Sequence, residues 1–150
     1  MTVFFCSKCG AELTPELRVL PRVPDAHMDD RGRDHKTSLA PSTVPRGCYA
    51  VDPEPWASPF ESASGGEPVS LGLRNSVVVH PDDVRDLRVA APSSAHWGCC
   101  GPRGTDGRNM VCGCGTLVAT LVADCMGPHE LRLDPVRVYA YPTDHQLAGM

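Results

Sequence analysis

Six of the eight cysteines stand in three tight groups: Cys6-Ser7-Lys8-Cys9-Gly10, Cys99-Cys100-Gly101 and Cys112-Gly113-Cys114-Gly115. Closely spaced thiols followed by glycine suit metal ligation. A Cys-x-x-Cys-Gly knuckle bends the backbone so that two sulfurs point at one centre, and the glycine admits the positive φ that the bend needs. Zinc takes four such ligands in a tetrahedron, with Zn–S of about 2.3 Å. Phe5-Cys6-Ser7-Lys8-Cys9-Gly10 supplies half of a site, and the other half must come from the segment that begins about ninety residues on. The expected cofactor is therefore Zn2+, and the candidate ligands are Cys6, Cys9, Cys99, Cys100, Cys112 and Cys114.

Six thiols are too many for one tetrahedron. Asp106-Gly107 is a type I′ turn signal. A two-residue turn there sets Thr105 against Arg108, Cys99 against Cys114 and Gly101 against Cys112. Side chains alternate along a strand, so Cys99, Cys112 and Cys114 would share one face. A three-residue turn exchanges Cys99 for Cys100. Either register leaves Cys112 and Cys114 on one face beside one member of the Cys99–Cys100 pair. The surplus thiols are open to three roles: a second metal, a redox pair, or packing. Cys48 and Cys125 stand alone in apolar or strand-like surroundings, where a free cysteine packs as a small apolar residue. His96, just before Trp97-Gly98-Cys99, is a weaker candidate for a fourth ligand or for a base beside a thiolate. No nucleophile elbow, phosphate loop or dinucleotide fingerprint occurs, so whether the chain is an enzyme stays uncertain.

The elements that must position these thiols are short. Val3-Phe4-Phe5 reads as a strand leading into the first knuckle. Thr14-Pro15-Glu16 can cap a brief helix, or Leu17 to Leu20 can return as a strand beside the first. Gly47 to Val51, Leu71 to Leu73 and Val77 to Val79 read as strands. His80 to Leu87 reads as a short helix with a proline and two acids in its first turn. Thr116 to Ala123, Leu131 to Leu133 and Val136 to Tyr141 carry strand alternation. Between them, residues 21–68 hold eight prolines and only five Leu, Val or Phe residues. Residues Asp25 to Lys36 are almost wholly polar and cannot bury enough apolar area to offset their ordering entropy.

Composition makes a staple useful. The chain has no isoleucine, and Leu, Val and Phe make up only 31 of 150 residues. A core this thin gains from a structural metal, which supplies roughly 10–16 kcal/mol of apparent binding free energy that counts toward folding. The formal charge of −4 argues against general nucleic-acid binding, which needs Lys and Arg to displace counterions. The N-terminus has no basic segment followed by a long apolar run, as a signal peptide would. No stretch approaches the roughly 20 apolar residues of a membrane span. The expected compartment is the cytoplasm, where thiols stay reduced and metal is favoured over disulfide.

The segment from Trp97-Gly-Cys-Cys-Gly through Asp106-Gly-Arg-Asn109-Met-Val-Cys112-Gly-Cys114-Gly, followed by Val118-Ala-Thr120 and Asp124-Cys125, resembles small uncharacterised cysteine-rich proteins of actinobacteria. More loosely, the N-terminal knuckle is similar to zinc-ribbon and rubredoxin-type knuckles. The zinc-pinned β-folds of methionine sulfoxide reductase B and of glutathione-dependent formaldehyde-activating proteins also pair a Cys-x-x-Cys with a second close cysteine pair. Their fuller motifs are missing here, and the resemblance implies no catalytic residue.

These readings converge on one expectation. Residues 1–150 form a single zinc-binding domain, mainly β. It is a small zinc-stapled antiparallel sheet with one or two short helices and a mobile polar loop at about 24–43. The expected role is a binding, adaptor or regulatory module with a protein partner. The alternative is a zinc- or thiol-dependent enzyme using a surplus cysteine near the metal.

Overall fold

A computed structural model describes residues 1–26, 32–54, 73–90, 101–104, 107–125 and 127–143. The alternating apolar segments form nine strands among these residues: β1 (Thr2–Cys6), β2 (Arg18–Val19), β3 (Cys48–Asp52), β4 (Ser76–Val79), β5 (Leu87–Val89), β6 (Met110–Cys112), β7 (Leu117–Ala123), β8 (His129–Leu133) and β9 (Val138–Pro142). They make two sheets. β1 pairs with β9, and the other seven run in the order β2-β3-β4-β8-β7-β6-β5. Every pairing is antiparallel except β2 with β3. The fold is mainly β, as the alternation indicates.

Register explains where the core lies. Val77, Leu133 and Ala119 align across β4, β8 and β7, as do Val79, Leu131 and Leu121. This face meets Phe4, Cys6, Leu13, Leu17 and Val138 from the β1 side, and Cys112 joins the same cluster. Phe4 sits edge-on to Tyr49 with ring centroids 5.0 Å apart. Each fully buried Leu, Val or Phe side chain contributes roughly 1.5–3 kcal/mol. The two sheets are therefore joined by apolar packing and, at one end, by cysteines.

The opposite face of the large sheet is also covered. Val44, Cys48 and Val78 form a second cluster with Leu20 and Val23. Beside it Arg132, aligned with both Val78 and Thr120, is buried and needs partners. Its Nη1 donates to Asp52 Oδ2 at 2.8 Å and its Nε meets Glu130 Oε2, while Thr43 Oγ1 donates to Glu130 Oε1 at 2.8 Å. Thr43 belongs to the stretch expected as a mobile loop. The described part of that stretch is tied to β8 and to the connection between β7 and β8: Thr43 N donates to His129 O, His129 Nδ1 lies 3.1 Å from Ala40 O, and Arg33 Nη1 donates to Cys125 O.

Two local expectations are corrected. His80 to Leu87 is not a helix. A single 3-10 turn, Pro81–Asp83, follows a His80 cap and ends at Val84, whose backbone is extended. Asp86 then takes a φ of 59°, and Leu87 enters β5 opposite Cys112. Sheet pairing overrides the helix-start signal. Nor does a helix follow Thr14. Leu13 N donates to Phe4 O, and Thr2 and Leu17 exchange backbone bonds, so this segment lies beside β1 as far as Leu17; the strand that follows, β2, pairs with β3 and not with β1 as the strand alternative had it. Leu71 and Gly72, which were expected in a strand, lie outside the described residues, and Leu73 stands exposed in a bend.

Candidate metal centre

Two backbone knuckles face each other across the gap between the sheets. In the first, β1 ends at Cys6. Cys6 N donates to Ala11 O and Gly10 N to Cys6 O, with Gly10 at φ 74°. In the second, β6 ends at Cys112. Cys112 N donates to Thr116 O and Gly115 N to Cys112 O, with Gly115 at φ 90°. The second knuckle repeats the first with one residue fewer. Each closes on a glycine in the left-handed region, which a side chain at that position would strain.

Neighbouring elements hold the knuckles in place. Ser7 donates to Arg137 O from both its N–H and its hydroxyl, which fastens the first knuckle to the approach of β9. Asn109 fastens the second: its amide donates to Leu121 O and its Oδ1 accepts from Leu121 N. This side chain extends the β6–β7 pairing beyond the start of β6 at Met110.

The result brings Cys6, Cys9, Cys112 and Cys114 together, with all four Sγ atoms within 4.8 Å of one another. Cys6 Sγ lies 3.8 Å from Cys114 Sγ, and Cys9 Sγ lies 3.6 Å from Cys112 Sγ. A tetrahedron with metal–sulfur bonds of about 2.3 Å has edges of about 3.8 Å. The spacing therefore suits four thiolates around one ion, and it is too long for disulfides, whose S–S bond is about 2.05 Å. Tetrahedral four-sulfur sites take zinc or iron. Cys6 and Cys112 are buried, whereas Cys9 and Cys114 are exposed.

The two sulfurs of the second knuckle have unlike surroundings. Burial pushes the Cys112 thiol up to about 12, against a smaller downward pull from the Cys114 backbone N–H. The Thr116 hydroxyl, 3.3 Å from Cys114 Sγ, and the Thr116 backbone N–H hold Cys114 down to about 6. Thr116 was not foreseen from sequence. Its position two residues after a candidate ligand was the available signal.

Of the six candidate ligands, the structure gathers these four, and Cys99 and Cys100 lie outside the described residues, as does His96. The expected 99–114 hairpin is corrected. Both edges of β6 are already taken, by β5 and by β7. Gly101 does not oppose Cys112. It backs onto Ala123, whose carbonyl oxygen would lie 2.4 Å from an added Cβ, and Ala123 N donates to Pro102 O. Nor do Cys112 and Cys114 share a strand face. β6 stops at Cys112, and Cys114 reaches the cluster from the turn. Cys48 is buried among Val44 and Val78. Cys125 is half-buried.

A scan against family models, a search of curated proteins and a search of solved structures each give no match. Among the described residues, no helix is long and apolar enough to cross a membrane.

Proposed function

We propose that Cys6, Cys9, Cys112 and Cys114 hold one structural Zn2+, and that the protein is a small zinc-stapled β module with a binding or regulatory role in the cytoplasm, acting through a protein partner. One observation carries the reading. Four sulfurs at tetrahedral spacing come from two knuckles, one on each sheet. Four protein ligands leave no open position for substrate or water, which is the mark of structural rather than catalytic zinc. Knuckles of this shape occur in zinc-ribbon and rubredoxin-type proteins, and we take that likeness as one of local geometry. The thin Leu, Val and Phe content gives the ion a role in folding.

Native mass spectrometry of protein purified under reducing conditions tests this. One zinc per wild-type chain, lost in Cys112→Ala, supports the reading, and a metal-free, fully folded protein overturns it. Affinity capture from the native cell, with zinc-loaded and chelated protein compared, tests the partner. A zinc- or thiol-dependent enzyme is the second reading, and the exposure of Cys9 and Cys114 is what favours it.

A further inference from the structure

We propose that the metal centre is redox-regulated: a hydroperoxide-class oxidant converts its thiolates into two cross-knuckle disulfides, Cys9–Cys112 and Cys6–Cys114, and expels the zinc while the join between the sheets persists. This rests on the zinc reading above.

Three observations support it. First, each exposed cysteine has a buried one beside it on the other knuckle: Cys9 Sγ lies 3.6 Å from Cys112 Sγ, and Cys114 Sγ lies 3.8 Å from Cys6 Sγ. An oxidant reaching Cys9 or Cys114 from solvent thus finds a resolving thiol already beside it. Second, the tips of the knuckles, beyond the bonds that Ser7 and Asn109 make, are unobstructed. A Cβ added at Gly10, Gly113 or Gly115 would meet nothing within 4 Å, so both outer surfaces open to free space. Closing a gap of 3.6 Å to a bond of about 2.05 Å needs a shift of about 1.5 Å shared between two such turns. Third, the partners lie on different sheets. A Cys9–Cys112 bond replaces the ion as the link between the β1 knuckle and the β6–β7 hairpin, whereas a Cys6–Cys9 bond would leave the sheets unlinked.

The chemistry balances. Each disulfide forms from two thiolate sulfurs that together give up two electrons. The O–O bond of the hydroperoxide breaks, takes up these electrons with two solvent protons, and yields an alcohol and water. Two hydroperoxides oxidise the full set. Zinc keeps its charge and leaves because disulfide sulfur is no longer a thiolate ligand.

The experiment starts from wild-type protein whose zinc content has been measured by native mass spectrometry. Hydrogen peroxide is titrated in, and released zinc is read with a chromogenic indicator. Disulfides are mapped by non-reducing peptide mass spectrometry. Thermal unfolding of the oxidised form is compared with that of reduced, chelated protein. The expected result is zinc release in step with Cys9–Cys112 and Cys6–Cys114 peptides, a higher Tm for the oxidised than for the reduced metal-free form, and reversal by dithiothreitol plus zinc. Retention of zinc in excess peroxide overturns the proposal. So does release accompanied by a Cys6–Cys9 bond, by intermolecular bonds or by sulfonic acids. A chain that takes up no zinc before peroxide is added fails at the zinc reading itself, and the proposal falls with it.

Discussion

Cys9 Sγ lies 3.6 Å from Cys112 Sγ across 103 residues of chain. No local propensity brings two such positions together. β1 is set by its pairing with β9, β6 by its pairing with β5 and β7, and the shared apolar core fixes one sheet against the other. The cysteines then occupy the seam where the sheets end.

Thr116 should tune the centre without being a ligand. Thr116→Val keeps the shape and removes the hydroxyl that lies 3.3 Å from Cys114 Sγ. Loss of a partner of this kind typically costs about 10–100-fold in metal affinity. Competition against a chromogenic zinc chelator should show a weakening in that range with the fold retained.

Gly115 should resist substitution for conformational reasons alone. An added Cβ meets nothing, but the φ of 90° is unfavourable for any other residue. Gly115→Ala should cost about 1–2 kcal/mol, read as a lower urea midpoint. The same change at Gly113, which has open space and no positive φ, should be nearly silent.

Cys48 should be separable from the metal. It packs with Val44 and Val78 and is remote in role from the four-sulfur cluster. Cys48→Ala should keep full zinc stoichiometry by native mass spectrometry and lose only about 1 kcal/mol of stability.

Arg132 should be among the most sensitive positions of the sheet. Its side chain and that of Glu130 are 6% and 2% exposed, and the two contact each other. Arg132→Met leaves the Glu130 carboxylate buried without its cation, which costs about 3–5 kcal/mol. Adding Glu130→Gln removes the stranded charge and should recover part of that loss in urea denaturation.

His80 should make stability depend on pH. Burial, opposed by Asp82 and Asp83 and assisted by Arg46 and His129, holds its pKa below the ordinary 6.5. The unfolded chain thus binds the proton more readily than the folded one. Stability from this group is present above about pH 6.5 and is lost as pH falls through the depressed folded value. Urea midpoints taken at saturating zinc should fall between pH 7.5 and 5.5, and fall less in His80→Gln.

Much of the strand content was legible. The apolar positions of Leu117 to Ala123 and of Leu131 to Leu133, and the unbroken apolar run of Val77 to Val79, whose residues are buried on both faces of the sheet, are signals that burial imposes directly on sequence. The first knuckle was equally legible, because Cys-x-x-Cys-Gly is a local backbone device. Less legible was anything that depends on which strand lies next to which. The Asp106-Gly107 signal suggested a hairpin between the Cys99 and Cys112 groups, yet β6 already had β5 and β7 on its two edges. The acids after His80 suggested a helix, yet Leu87 was needed opposite Cys112. Thr43 and Ala40 lie in a stretch whose polar composition hid their contacts with Glu130 and His129.

The sequence by itself determined that this is a β-rich chain with a thin core and a glycine-closed Cys-x-x-Cys turn near its start, since periodicity and knuckle geometry are properties of a few consecutive residues. Only the tertiary structure decided that Cys6 and Cys9 meet Cys112 and Cys114, that Cys114 arrives from a turn and not from a strand face, and that Thr116 attends it. Those outcomes depend on sheet order and register. Competing pairings of the same local segments differ in what they bury together, and that is set by the whole chain.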